Sequence, residues 1–460
     1  MSLTTGQAVA GTQFADVMKT LYLDPLNDQI HRETVLLNRL QRHSNDVSGN
    51  FAYLALLTAR NPGKGSRKDV DGAGPKLPAI GQQSYKSATF KMVWHYGRGG
   101  VSGPVMDSSD DRQGAFASAL DTEMTGLTET MPEDLNRQIC GIGHGRAATL
   151  ASTQTTSTVI EVSSRAVMSA KIGDRVHFAD ITAGDGITPA SGTTVTAIDR
   201  DQDKDGNVSD TKHKITLAAA SGTSLTVADD AMYFGGGEVL DSEDVSRGQE
   251  MYGLFAAIDD SNPGTDEGIG GTTVPAEAGE FVTGSLFFGG IDRTNTFWRA
   301  TKLVNPAAAG TLRPVTVPLW EEAYLTCTTR GAKPGNIEMY SGPGLWATFG
   351  LEHIGGRVFN DFKEKVEEGF IAIMFNNQPY FSDRDLLRHQ VLFLDMSTLL
   401  LMESGPFEFM DKDGSIMERV KDRDAYEFTL RKSMQLGSRR PNTSVNLADL
   451  QASFEVEVNE

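Results

Sequence analysis

The chain has 460 residues, 39 % hydrophobic and 22 % charged, enough apolar material for two or three packed domains. Its formal net charge of −19 argues against general nucleic-acid binding, because such a surface repels phosphates instead of releasing their counterions. Two cysteines far apart in sequence, Cys140 and Cys327, supply neither a disulfide framework nor a zinc site and fit a reducing compartment. The N-terminal stretch lacks the basic-then-apolar order of a secretory signal, and no run of about 18 apolar residues is present to span a membrane.

Residues 14–42 carry Phe14, Met18, Leu21, Leu26, Ile30, Leu36, Leu37 and Leu40 at helical spacing, interrupted by Pro25. The pattern predicts two short amphipathic helices on an arm, whose apolar faces need a partner surface. Residues 50–106 change character. Strand-like ends flank a Gly-, Pro- and Lys-rich middle from Asn61 to Gly81, and Tyr85 to Val105 reads as a single strand. Such a two-stranded excursion is a liability in a monomer and makes sense laid over another subunit. Lys64, Arg67, Lys68 and Lys76 cluster in it, either to reach acidic surfaces of a neighbouring chain or to keep the loop soluble. Next, Phe116, Leu120, Met124, Leu127, Met131, Leu135 and Ile139 recur at helical spacing. They predict one long helix over 113–140 with Pro132 inside it, about 40 Å long at about 1.5 Å per residue.

Residues 151–236 are dominated by Thr, Val, Ser, Gly and Asp, with five strand-like runs. They predict a small all-β module of about 85 residues. Within it, "DRDQDKDGNVSD" alternates Asp201, Asp203 and Asp205 before Gly206, as a helix-flanked calcium loop begins. Lys212 stands where that loop needs a bidentate Glu, and both flanks are β-branched and alternating rather than helical. The stretch therefore reads as a solvated hairpin tip, with Asp201, Asp203, Asp205 and Asp210 as a weak calcium candidate at most.

Residues 237–460 alternate helices and strands. Helices are expected at "PLWEEAYLTCTTRG", "LWATFGLEHIGG" and "RVFNDFKEKVEEG", and strands at "NIEMYSG" and, at least in part, at "FIAIMFNNQPYFSD" and "QVLFLDMSTLLLME". "FEFMDKDGSIMERV" reads as a hairpin turning at Asp413-Gly414, and a closing strand and loop begin at Asp424.

A search for chemistry yields no catalytic constellation and no cofactor site. Gly342 to Ala347, "GPGLWA", meets the loose dinucleotide pattern with Asp361 about 20 residues on, but Pro343 occupies the loop and no second βαβ half follows, so it reads as a strand-to-helix turn. Glu321 with Glu322, and Glu364 with Glu367 and Glu368, read as solvated helix faces. His353 lies outside any H-E-x-x-H motif, and Trp94 and His95 lie in a strand. What remains is an arm, an excursion, a long helix and a mixed body whose faces need neighbours, which describes a building block.

In this setting the chain resembles the major capsid proteins of tailed bacteriophages with the Hong Kong 97-like fold. "FADVMKTLYLDPLNDQIHRETVLLNRLQR" resembles the N-terminal arm. "SYKSATFKMVWHYGRGGVSGPV" and the following stretch, through "LDTEMTGLTETMPEDLNRQICGIG", resemble the returning extension-loop strand and the spine helix with its closing Asn-Arg-Gln. "YGLFAAIDD", "GGIDRTNTFWRATKLVN" and "LWEEAYLTCTTRGAKPGNIEMYSGPGLWATF" resemble the axial domain, and "RDAYEFTLRKSMQLGSRRPNTSVNLADL" the peripheral return. The resemblance implies an α+β fold divided into arm 1–49, extension loop 50–106, peripheral domain 107–150, an inserted β domain 151–236, axial domain 237–405 and peripheral return 406–460. It also implies a non-enzymatic subunit forming hexamers and pentamers of an icosahedral virion capsid around double-stranded DNA, assembled in the host cytoplasm, with portal and decoration proteins as partners. An encapsulin-type cargo shell of the same fold is the alternative. The arm starts near residue 14, so scaffolding, if any, is expected from a separate protein. Some members cross-link a lysine to a neighbour's Asn; Lys64 and Lys68 stand where such a lysine falls, without a legible partner.

Overall fold

A computed structural model describes residues 34–44, 47–68, 77–105, 119–141, 146–150, 153–162, 170–180, 188–199, 213–221, 224–225, 230–235, 250–258, 287–293, 295–306, 312–354, 363–365, 371–386, 389–411, 416–421 and 423–452. The expected first arm helix, the tip residues 69–76 and the start of the long helix at 113–118 lie outside these. The arm's end is a one-turn helix, Val35–Arg39, burying Val35, Leu36 and Leu37. The strand that follows, β1 (Gln41–His43), pairs in parallel with β21 (Leu399–Glu403).

The excursion is a hairpin of β3 (Phe51–Ala59) and β4 (Ser84–Lys91), in register from Phe51↔Lys91 to Ala59↔Ser84, with β2 (Val47–Ser48) added beside the start of β3. Strand alternation buries Ala52, Leu54 and Leu56 and leaves Phe51, Tyr53 and Leu57 exposed. The single strand expected over Tyr85 to Val105 is two. The chain leaves β4 at Met92, whose N–H donates to Asn50 O at 2.8 Å, and continues as β5 (Val93–Ser102) on a different sheet. Buried Met92 fills the corner between the two sheets, so the apolar run is continuous although its partners change.

That second sheet centres on β24 (Ala425–Ser438). It pairs with β5 along ten residues on one edge and with β21, β22 (Glu408–Phe409) and β23 (Glu418–Arg419) on the other. The hairpin expected at Asp413-Gly414 is corrected here. Strands β22 and β23 are both antiparallel to β24 and so run in the same direction, which two arms of one hairpin cannot do. The turn residues themselves, 412–415, lie outside the described set. The long helix, Ala119–Cys140 with Pro132 inside it, spans about 33 Å and crosses β5 at Gly97. A Cβ at Gly97 would come within 2.9 Å of Leu127 Cδ1 and of Met131 Sδ, so glycine permits the close approach.

Residues 146–234 supply a six-stranded sheet in the order β6 (Arg146–Thr149), β11 (Asp230–Phe234), β8 (Arg175–Asp180), β9 (Thr188–Asp199), β10 (His213–Leu217), β7 (Val159–Val162). An antiparallel bridge from Leu150 to Val162 joins its two edges, curling it toward closure around Ile160, Val162, Val176, Phe178, Ile215 and Met232. Each of the five strand-like runs read in this stretch contains a strand among the described residues.

The remaining body is a seven-stranded sheet in the order β14 (Thr301–Leu303), β25 (Val445–Leu447), β20 (Val391–Asp395), β16 (Ile337–Ser341), β19 (Gln378–Ser382), β18 (Ile371–Phe375), β17 (Lys363–Lys365). A small pair, β15 (Arg313–Pro314) with β26 (Leu450–Gln451), packs beside it, and another, β12 (Phe287–Phe288) with β13 (Ile291–Asp292), packs against Phe90 of β4. Helices Val317–Thr329 and Pro343–Ile354 cover the seven-stranded sheet, with Trp320 stacked on Phe349 at 4.7 Å. β18 and β19 turn through Asn376 and Asn377, both at positive φ, the type I′ geometry that Asn tolerates. The helix expected over 357–369 is corrected at Lys363–Lys365. These residues pair with β18, because pairing along an open sheet edge overrides the good local helix propensity of Lys and Glu. Both large sheets draw strands from each side of residue 405: β21 pairs with β24, and β25 lies in the seven-stranded sheet.

Candidate assembly surface

The long helix ends on three polar side chains, Asn136, Arg137 and Gln138, and all three are buried. Asn136 sits where the arm, the helix and the turn after β19 meet. Its Nδ2 donates to both oxygens of Asp383 at 3.3 Å and to Asp385 Oδ2 at 2.8 Å, and its Oδ1 accepts from Leu37 N at 3.2 Å. Asp383 Oδ2 also accepts from Leu36 N at 3.3 Å. The first turn of the arm helix is thus capped by side chains about 100 and 350 residues away in sequence, taking over its orphan donors. Burial, then the neighbouring Asp385 carboxylate, pushes the Asp383 carboxyl up to about 6 against the pull of its hydrogen bonds. Arg39 adds a bidentate pair to Glu338 on β16, at 2.9 and 2.7 Å, and lies 4.7 Å from the Phe381 ring centre.

Arg137 holds the β-rich stretch against the helix. It pairs with Glu250 at 2.6 Å and Asp134 at 2.8 Å, and its guanidinium lies 3.9 Å over the Phe234 ring. Burial opposes its charge, yet the Asp134 and Glu250 carboxylates hold it above the ordinary arginine value. Lys171 reaches Glu133 at 3.1 Å beside it. Gln138 donates to Asp134 at 2.8 Å and accepts from Met251 N at 3.4 Å. Together these contacts make the end of the helix the junction of the fold.

The outward faces are different. Phe51, Tyr53, Leu57 and Tyr85 are exposed on the β3–β4 hairpin, and Leu77 and Ile80 are 89 % and 99 % exposed on the run leading into β4. On β5, Trp94 and Tyr96 stack at 6.4 Å on the side away from buried His95, with Arg431 at 5.8 Å from the Trp94 ring. Burial pushes the His95 imidazole down to about 4. Large apolar and aromatic side chains exposed in this number are what a docking surface for another protein presents.

The residues singled out in the sequence fall as follows. Asp201, Asp203, Asp205 and Asp210 lie outside the described residues; the strands that flank them, β9 and β10, are antiparallel neighbours with Asp199 opposite Lys214. Among the described residues no group of three His, Cys, Asp or Glu side chains is placed to hold a metal ion. Lys64, Arg67 and Lys68 are exposed on chain without regular structure, and Lys76 lies outside the described residues. Gly342 makes the turn from β16 into the next helix, accepting from Trp346 N at 3.2 Å. Asp361, Glu367 and Glu368 are not described, Glu364 lies on β17, and Glu321 accepts from Asn376 Nδ2 at 2.8 Å. Cys140 and Cys327 are free and buried. The search for chemistry missed Asp383 and Asp385. The legible signal was three consecutive polar residues closing an apolar stripe, which need buried partners.

No family model matches this chain, and no curated protein sequence matches it. Solved structures do. The capsid asymmetric unit of cyanophage A-1(L) aligns over 96 % of this chain and 99 % of its own length, at 12 % identity and a TM-score of 0.50. The holo-SrpI encapsulin of Synechococcus elongatus PCC 7942 aligns over 98 % and 100 %, at 7 % identity and 0.46. A chain from Mycobacterium phage Bobi aligns over 95 % and 98 %, at 10 % identity and 0.43. The likeness to the cyanophage subunit shows the fold: this chain has the mixed α+β architecture of a phage capsid protein, as the resemblance in its sequence implied.

Proposed function

We propose that the chain is the structural, non-enzymatic subunit of the icosahedral head of a tailed phage. In this reading it is arranged as hexamers and pentamers around double-stranded DNA, has the Hong Kong 97-like subdomains, and carries residues 151–236 as an inserted β domain. The arm, 1–49, and the extension loop, 50–106, lie on neighbours; 107–150 and 406–460 form most of the peripheral domain and 237–405 most of the axial domain. Ring contacts that close around two kinds of local axis let one chain build a shell. Its acidic balance keeps DNA from adhering to the wall. Portal and decoration proteins are its partners, with scaffolding, if any, supplied by a separate protein, and its place is the virion, after assembly in the host cytoplasm.

The observation that carries the reading is the full-length capsid fold presenting an uncovered apolar hairpin. Electron microscopy of the purified chain tests it, with closed particles expected. Replacing Tyr53, Leu57 and Tyr85 together by Ser should leave the melting temperature of the unassembled chain unchanged and abolish the particles. A monodisperse monomer at every concentration and ionic strength overturns the proposal. Closed particles filled with a protein cargo and free of nucleic acid transfer it to the encapsulin-type alternative.

A further inference from the structure

The chain is strongly acidic, with a net charge of −19, yet arginines from four separate elements gather on one part of its surface. Arg60 directly follows β3, Arg299 lies just before β14, Arg330 caps the C-terminal end of the helix Val317–Thr329, and Arg440 follows β24. All four are exposed, and none makes an ion pair among the described residues. Their contacts tie them into one patch. Arg330 Nη1 donates to Arg299 O at 3.2 Å. Arg440 Nη2 lies against Gly331, 3.0 Å from where a Cβ would stand. Arg440 and Arg60 line one cleft of about 480 Å³, beside Arg439, which engages His43 at 3.4 Å. No Asp or Glu lines that cleft among the described residues.

The negative end of the helix attracts cations and accounts for Arg330 and for Arg440 beside it. It does not account for Arg60 and Arg299, which arrive from other elements. Like charges held together repel until an anion lies over them. The cleft wall is charged, the reverse of a protein interface, whose centre is depleted of charge. Its tryptophan, Trp298, is turned inward at 2 % exposure, with Nε1 donating to Phe288 O at 2.9 Å. Guanidinium forks match phosphate oxygens bidentately and keep their charge at every working pH.

We propose that this patch docks the phosphodiester backbone of nucleic acid. Contacts of this kind position a strand without reading its sequence. The acidic remainder of the chain repels phosphates, so contact is confined to one place on each copy. The inference does not rest on shell formation. Its test uses the unassembled full chain, so failed assembly and failed binding are separate outcomes.

The probe is a fluorescent duplex DNA of about 20 base pairs, titrated with the chain from about 25 to about 200 mM salt. Four neutralised phosphates give a slope of log affinity against log salt of about −3.6. Arg60→Gln or Arg440→Gln should each reduce that slope by about 1. Arg60→Glu with Arg440→Glu should weaken binding at about 50 mM salt by about tenfold or more. Arg419→Glu with Lys421→Glu changes the net charge equally at a distant place. Arg419 pairs with Tyr426, and from there to the end of β24 at Ser438 is about 40 Å at about 3.3 Å per residue. This control should keep the affinity within about twofold of the native chain. Circular dichroism and the melting temperature confirm that each variant is folded. No duplex binding at about 25 mM salt, or equal loss in the patch and control variants, overturns the proposal. So does protection of Arg60 and Arg440 from an arginine-modifying reagent by a polyglutamate peptide and not by the duplex, which would assign the patch to an acidic protein surface.

Discussion

Asp383→Asn should reverse its effect on stability between mildly acidic and alkaline solution. In the native chain the Asp383 carboxyl is pushed up to about 6, chiefly by burial and then by Asp385. Its ordinary value is about 4. Because the folded value is the higher one, the folded state binds more protons over this window. Stability is therefore fully present below about pH 4 and falls as pH rises through about 6. At about 1.4 kcal/mol for each tenfold change in acidity, the ionised group costs on the order of 3 kcal/mol at pH 8. Asparagine removes that cost but turns one N–H group toward a donor, Leu36 N or Asp385 N, which loses a bond worth about 1–2 kcal/mol. The variant is expected to be more stable than the native chain by about 1–2 kcal/mol near pH 8 and less stable by a similar amount near pH 4. Urea unfolding of the unassembled chain across that range reads the difference, and hydrogen exchange at the Leu36 and Leu37 amides reads it locally. A variant destabilised equally at both ends would refute the reasoning, because Asp383 would then act only as a hydrogen-bond acceptor.

Gly97→Val should lower the unfolding free energy by about 1–3 kcal/mol by forcing the long helix off β5, whereas Gly126→Ala, with nothing within 4 Å, should raise it by up to about 1 kcal/mol; equal effects on the melting temperature would mean that the helix does not seat on Gly97. Arg137→Ala removes the buried guanidinium that pairs with Glu250 and Asp134 and should cost about 3–5 kcal/mol, and Arg137→Lys should recover only part because it loses the planar fork and the stacking over Phe234; full recovery by lysine in thermal melts would contradict this. Replacing Asp201, Asp203 and Asp205 by Asn should change neither stability nor calcium response, as calorimetric titration of the full chain would show. Submicromolar calcium binding by the native chain would sink the hairpin-tip reading of that stretch.

Local pattern carried much of the architecture. Alternation of β-branched residues located the five strands read in 151–236, and the three- and four-residue spacing from Met124 to Ile139 located the long helix, because side-chain period is a property of neighbours along the chain. The strand-to-helix turn at Gly342 was equally local, whereas the run over residues 370–383 read as strand breaks at the Asn376-Asn377 turn. Tertiary structure decided what no window of sequence contains. Whether an apolar run is one strand or two depends on its partners, and Met92 divides one run between two sheets. Whether β22 and β23 face each other depends on the edge of β24 that both adopt. The stripe itself is core only in part: Met131, Leu135 and Ile139 are buried, while Met124 and Leu127 are half-covered. The junction at Asn136 joins groups 99 and 247 residues apart. A buried amide must find its partners wherever the fold delivers them, so the sequence determined that Asn136, Arg137 and Gln138 would need partners, and only the packing of arm, helix and sheets decided that Asp383, Asp385 and Glu250 would be those partners.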